Sequence, residues 1–337
     1  MAKPPANIGA SVRARLLNLA RQTNQPFDVL LTRFVHERLL YRLSRSPHAD
    51  RFVLKGAMLL TTWLPHTARG TRDLDLLGFG DASEQRIRGI FREVLAIAGD
   101  DGVAFDLDAL QVGLIREELE YGGVRLRGAA TLSGARIAVV VDIGFGDSVE
   151  PGLETIDYPA LLDLPAPRLR AYAPETVIAE KFQAMVALGR ANSRMKDFYD
   201  IWILTKTFDF VPDRLARAIA ATFARRQTAI PTDRPDALTP DFAEDPQKQR
   251  QWAAFIADID HAPRQLAEIV GDLAPFLMNA AAADTVRPCH DGTRPENDRR
   301  SNACHRSPGL ISTRPSASVR SESWHSSRSA KAATNWA

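Results

Sequence analysis

The sequence predicts an α+β protein: a mostly hairpin-connected sheet, preceded by a helical N-terminal cap and followed by a helical C-terminal domain. Three observations carry this. Residues 8–22 and 26–45 repeat apolar side chains at three- and four-residue steps (Leu16, Leu19 and Ala20; then Val29, Leu30, Phe34, Leu39, Leu40 and Leu43). Residues 103–116, 121–131 and 135–144 read as strands broken at Gly122-Gly123 and Ser133-Gly134. Helical spacing then returns over 175–190, 194–206, 213–226 and 246–282.

Taken in order, Pro26 and Pro47 punctuate the two cap helices, which occupy residues 1–50. The core, residues 51–150, opens with the short apolar run Arg51-Phe52-Val53-Leu54 and a Lys55-Gly56 turn. A helix over 57–63, a loop bearing Pro65, a strand at Asp73 and an amphipathic helix over 84–98 follow before the strands. The proline-bearing stretch 151–174 reads as a connector into the helical domain, 151–284. From residue 285 to 337 the composition turns to Ser, Arg, Pro and Asn with few large apolar side chains, and such a segment is expected to be disordered because it cannot offset its ordering entropy.

With 337 residues, 45% hydrophobic and 25% charged, the chain can bury a sizeable core. No apolar run reaches the roughly 18 residues of a membrane helix, and the first residues lack the apolar stretch of a signal peptide, so a cytoplasmic location without membrane partners is expected. Cys289 and Cys304, each followed by a histidine, do not have zinc-ligand spacing and leave the body of the chain without a disulfide. The net charge of +2 hides an uneven distribution. Residues 1–55 carry ten Lys and Arg against three Asp and Glu, so a nucleic-acid partner would touch the cap, unless these arginines are only the wet faces of its helices.

The chemistry gathers around Thr71-Arg72-Asp73-Leu74-Asp75-Leu76. On a strand Asp73 and Asp75 project from one side while Leu74 and Leu76 face a core. Asp142, within Val139-Val140-Val141-Asp142-Ile143, lies in a β-branched run able to pair beside that strand and bring a third carboxylate to the same edge. Oxygen ligands of this kind suit magnesium, with phosphates and waters completing the octahedron. Two such ions could clamp the attacking and leaving oxygens of phosphoryl or nucleotidyl transfer. A lone Asp-x-Asp is ordinarily a solvated strand end, and Asp106-Leu107-Asp108, with no glycine turn at a suitable distance before it and polar and charged residues soon after, reads as such an exposed strand edge. The Asp73 pair differs in having Lys55-Gly56 upstream, Arg69 and Arg72 beside it and an acidic strand after it. Further on, Lys181 and Lys196 are candidates to hold a leaving pyrophosphate. Lys196 and Asp200 are i,i+4 neighbours that would otherwise be a surface ion pair. Asp197 or Asp200 could orient a lysine, contact a ribose or help deprotonate an acceptor hydroxyl.

Five ordered blocks, Arg51-Phe-Val-Leu-Lys55-Gly56, Thr71-Arg72-Asp73-Leu-Asp75-Leu, Val141-Asp142-Ile-Gly-Phe-Gly-Asp147, Ala179-Glu180-Lys181 and Arg194-Met-Lys196-Asp197-Phe-Tyr-Asp200, give the chain a resemblance to the AbiEii/AbiGii-type nucleotidyltransferases, toxins of type IV toxin–antitoxin and phage-abortive infection systems. The resemblance implies a polymerase-β-like core with a mixed sheet, dependence on magnesium or manganese, and transfer of a nucleoside monophosphate from an NTP to an RNA acceptor, the 3′ end of tRNA. A cognate antitoxin from a neighbouring gene would be the counterpart. Carried onto this chain, the metal carboxylates are Asp73, Asp75 and Asp142, the catalytic set adds Lys196 and Asp197, and Lys55, Gly56, Arg72, Lys181 and Asp200 bind the nucleotide. Ala57 follows Gly56 where such enzymes commonly have Gly-Ser or Gly-Gly. Transfer to a protein hydroxyl or a small molecule, and a non-catalytic RNA-binding or antitoxin-like module, are the competing readings.

Overall fold

Residues 7–64, 71, 73–115, 122–259 and 261–285 are described by the structure, a computed structural model. Helix α1 (Ile8–Thr23) starts where the Asn7 side chain accepts from the Ala10 N–H at 2.9 Å, and stops at Asn24, whose left-handed φ of 52° ends the turn. It buries one stripe, Val12, Leu16 and Ala20. Helix α2 (Phe27–Arg45) is buried almost all round and packs on the sheet and on α4 (Glu84–Ala96), which follows the short α3 (Met58–Trp63) in the chain. Its buried face holds Arg38 and Arg42 as well as leucines. Arg42 grips Asp101 through two bonds of 2.7 and 3.0 Å, and Arg38 pairs with Glu37 at 2.6 Å and donates to the Pro165 carbonyl. Two of the arginines expected to form a basic outer surface are thus internal. They tie α2 into the fold instead of facing a partner.

The sheet has eight strands: β1 (Phe52–Lys55), β2 (Leu74–Gly78), β3 (Val103–Phe105), β4 (Gln111–Ile115), β5 (Gly123–Leu132), β6 (Ala135–Phe145), β7 (Leu153–Asp157) and β8 (Arg168–Tyr172). Their order is β3-β5-β6-β2-β1-β8-β7, with β4 also against β5. It is mixed: β2 runs parallel to β6 and β1 parallel to β8, whereas β1–β2, β5–β6 and β7–β8 are antiparallel. The expected break at Ser133-Gly134 is a two-residue hairpin turn in which both residues take positive φ, 47° and 80°.

Two expectations about the sheet change. The strand over 103–116 is two strands, and the Asp106/Asp108 pair lies in the turn between them, where Asp106 accepts from the Ala109 N–H; it is not a strand edge. The stretch 151–174 is not a bare connector, because it supplies β7 and β8 and completes the sheet beside β1. Its prolines, at 151, 159, 165, 167 and 174, flank these strands without entering them, which is why the composition masked the strands.

Helices α5 (Pro174–Leu188), α6 (Met195–Thr207) and α7 (Pro212–Arg225) follow as periodicity predicts. The long helix expected over 246–282 is divided into α9 (Pro246–Phe255) and α10 (Leu266–Thr285), after a one-turn α8 (Pro240–Ala243). Within α10, Leu266–Ala283 is long and apolar enough to cross a membrane by length and composition, contrary to the reading of the sequence. Its Leu266, Ile269, Val270, Leu273 and Leu277 are buried, and the helix packs on α6 and α7, the arrangement of a core helix.

Candidate active site

The strand registers decide which side chains meet. Lys55 of β1 stands opposite Asp75 of β2, Asp75 opposite Asp142 of β6, and Asp142 opposite Arg125 of β5. Four neighbouring strands therefore present one row of charges, positive, negative, negative, positive, on one face of the sheet. One residue away on the other face, Leu54, Leu76, Ile143 and Val124 are fully buried in the core. The alternation of the sequence is enough to produce both faces, since apolar burial fixes the register and the charged residues have only the opposite side left.

Above this row lies a cleft of about 470 Å³ lined by Lys55, Gly56, Asp73, Asp75, Arg125, Asp142, Asp147, Glu180, Lys181, Arg194, Lys196, Asp197 and Arg226, among others. Blocks far apart in sequence thus come together, β1, β2 and β6 from the core and α5 and α6 from the helical half. Asp200 lies behind the lining, and Arg72 lies outside the described residues.

Gly56 is at φ +72°, and a Cβ there would stand 2.1 Å from the Asp75 Oδ2 and 2.7 Å from its Cβ. Only a glycine admits both the left-handed turn and the close approach of the carboxylate. Gly56→Ala is expected to push Asp75 aside by about 1 Å and to lower any activity of the site by about 100-fold, the scale of such a misplacement. Steady-state rates against native protein check this, and unchanged rates would count against Gly56 setting the carboxylate.

Asp73, one residue before β2, is exposed, whereas Asp75, within the strand, is half-buried. Burial pushes the Asp75 carboxyl up to about 6; the Asp142 and Asp73 carboxylates push the same way, and Lys55 and Lys196 hold it back. Asp142 reaches the expected position, but both its oxygens accept from Arg125, from Nε at 2.6 Å and from a terminal nitrogen at 2.6 Å. Among the described residues no group of three or more His, Cys, Asp or Glu side chains has metal-binding geometry.

Lys55 does not stand loose toward a phosphate. It donates to Asp147 at 2.7 Å and Glu180 at 3.0 Å, and Arg226 joins the same two acids at 3.2 and 3.3 Å. The Tyr172 hydroxyl also donates to Glu180, at 3.2 Å. Burial opposes the Lys55 charge, yet Glu180, Tyr172 and Asp147 raise its proton affinity above the ordinary lysine value. Lys181 donates to Asp197 at 2.6 Å and to Asp200 at 2.8 Å, both carboxylates having no exposed side-chain surface. Arg194 closes on the second oxygen of Asp197 at 2.6 Å. Of the roles left open for Asp197 and Asp200, orienting a lysine is the one the geometry displays, for both residues and for Lys181. Lys196 does not form the i,i+4 pair with Asp200; it is exposed, and its charge acts on Asp75.

Sequence reasoning gave no role to Arg125, Asp147, Glu180 or Arg226. Arg125 was findable: a two-residue turn at Ser133-Gly134 pairs Asp142, eight residues after Gly134, with the residue eight before Ser133. Asp147 and Glu180 lay inside recognised blocks, but nothing in the spacing said that they meet Lys55.

The sequence profile described as nucleotidyl transferase AbiEii toxin of type IV toxin–antitoxin systems matches residues 38–274. Among solved structures, JHP933 from Helicobacter pylori is 14% identical over 76% of this chain and 94% of its own, with a TM-score of 0.44. A second H. pylori protein, described as a candidate nucleotidyltransferase, is 15% identical over 76% of this chain and 96% of its own, also at a TM-score of 0.44. No curated protein matches the sequence. The profile spans the chain from within α2 to within α10, taking in every strand of the charged row and both helices that close the cleft, and the chain belongs to the AbiEii family of nucleotidyltransferase toxins.

Proposed function

We propose that the cleft transfers a nucleoside monophosphate from an NTP to a hydroxyl of an RNA acceptor, the 3′ end of tRNA, in the cytoplasm and with magnesium or manganese as cofactor. The observation that carries this reading is the charged row: carboxylates side by side on β2 and β6, with lysines and arginines around them in one cleft. A carboxylate floor under cationic walls is complementary to a triphosphate carrying a divalent ion. Asp73 and Asp75 fit such an ion, being hard oxygen donors at i,i+2, and the proton affinity of Asp75 is already raised, first by burial and then by the Asp142 and Asp73 carboxylates. Bound there, magnesium would activate the attacking oxygen and neutralise charge on the α-phosphate.

The chain's own groups account for the rest. The acceptor oxygen bonds to the α-phosphorus, the bond from that phosphorus to the bridging oxygen breaks, and pyrophosphate leaves. The acceptor proton passes to water at the open mouth, where Asp73 is exposed. Lys196, exposed on the rim, and Lys181, fixed by Asp197 and Asp200, receive the negative charge of the departing pyrophosphate. Lys55 and Arg226, paired with Asp147 and Glu180, form a charge-balanced wall of the cleft behind them.

The test is incubation of the purified protein with magnesium, each α-labelled NTP and total cellular RNA, beside Asp73→Ala/Asp75→Ala. Label on tRNA with the native chain alone is the expected result and identifies the nucleotide. Label on protein would move the acceptor to a protein hydroxyl, and label on a small molecule would move it there. Absence of label with every NTP would overturn the reading in favour of a non-catalytic RNA-binding module.

A further inference from the structure

We propose that Asp142 is the seat of Arg125 and not a metal ligand, so that the site holds one divalent ion, on Asp73 and Asp75, and Arg125 supplies the positive charge that a second ion would otherwise bring to the triphosphate. The inference rests on the reading of the cleft as a metal-dependent nucleotidyltransferase site.

Three features point to it. Arg125 and Asp142 are directly opposed in the β5–β6 ladder, so backbone register places their side chains next to each other on one face. The contact is a two-pronged guanidinium–carboxylate pair with both bonds at 2.6 Å, which engages both Asp142 oxygens; a divalent ion on the same carboxylate would stand against a fixed positive charge. The pair also opens onto the cleft. The Arg125 side chain is 35% exposed and that of Asp142 20%, both line the cleft, and on one side the adjoining opposed positions of the same face are glycines, Gly123 and Gly144. A planar guanidinium fixed at its carboxylate edge is suited to facing phosphate oxygens. With Lys55 at the other end of the row, the two carboxylates between the cations are Asp75 and Asp142, the latter paired with Arg125. That leaves Asp75, with Asp73 beside it, as the place where a divalent ion relieves repulsion.

Manganese bound per chain, counted by electron paramagnetic resonance with a non-hydrolysable NTP analogue present, tests this without any turnover. One ion per native chain is expected, and Arg125→Met, which frees Asp142, is expected to raise the count to two. Asp142→Asn, nearly isosteric and so independent of whether Arg125→Met folds, is expected to keep one ion with a Kd raised by no more than about tenfold, the low end of what loss of an outer-shell partner costs. Two ions on the native chain, or loss of the bound ion in Asp142→Asn, would overturn the inference while leaving metal-dependent transfer standing. No bound manganese on the native chain would overturn both.

Discussion

At pH 7.5 and without metal, Asp75→Asn is expected to melt higher than the native chain while transferring no nucleotide. The cause is the position of Asp75 in the charged row. Its carboxyl is pushed from an ordinary value of 3.8 up to about 6, first by burial and then by Asp142 and Asp73, against the pull of Lys55 and Lys196. A raised carboxyl destabilises the folded state once ionised. Between about pH 4 and pH 6 the folded chain still holds a proton that the unfolded chain has released, so stability falls as pH rises through this window. Below it both states are protonated and the penalty vanishes; above it the penalty is complete. At 1.36 kcal/mol per pH unit the full effect is about 3 kcal/mol, and partial solvation of Asp75 reduces it to about 1–3 kcal/mol. The uncharged amide keeps the shape and removes the penalty. The gain in melting temperature should be of order 2–4 °C per kcal/mol, present at pH 7.5 and absent near pH 3.5. Magnesium should reverse the order, because it stabilises the native carboxylates and has little to bind in the variant. Equal or lower melting of Asp75→Asn at pH 7.5 would show that this carboxylate is not under electrostatic stress. The excess charge would then need another explanation than a bound cation.

The same row explains what was legible in the sequence. Asp73, Asp75 and Asp142 could be placed together because period-two alternation and β-branched burial fix faces and neighbours, and the parallel pairing of β2 with β6 delivered Asp75 beside Asp142. The helical half was legible as helices, yet its contacts were not. On α6 the i,i+4 spacing of Lys196 and Asp200 suggested a surface pair, but Asp197, Asp200 and Leu204 occupy one buried stripe of that helix, and Lys196 does not. Acids at core positions of a helix require a buried cation, and that requirement was readable even though its source, Lys181 on α5, was not. The strands β7 and β8 were lost for a different reason: an edge pair flanked by prolines has neither the length nor the apolar content that marks a central strand. The parallel pairing of β1 with β8, made after a long excursion of the chain, has no local signature at all.

Lys181→Met is expected to weaken both the fold and the reaction, and the two losses can be separated. Lys181 is the ammonium shared by Asp197 and Asp200, neither of which has exposed side-chain surface, while Arg194 reaches Asp197 from a position that is 44% exposed. Removing the lysine leaves buried carboxylate charge short of its counter-ion, which costs about 3–5 kcal/mol when one partner of a buried ionic cluster is deleted. Urea denaturation measures it. If stability were the whole role of Lys181, replacing all three groups together, Lys181→Met/Asp197→Asn/Asp200→Asn, would remove the charge imbalance and restore transfer along with most of the stability. If the two aspartates hold Lys181 so that its charge meets the leaving pyrophosphate, the triple variant recovers stability but remains slow by about 100-fold or more, the scale of losing one fixed cationic or hydrogen-bonding group at a transition state. The second outcome is the expected one, because Lys181 lines the cleft together with Lys196 and is held there by Asp197, which also lines it, and by Asp200, which does not. A triple variant that transfers at the native rate would reduce Lys181 to a packing element of α5 and α6, and would leave Lys196 and Arg125 as the cations that face the triphosphate.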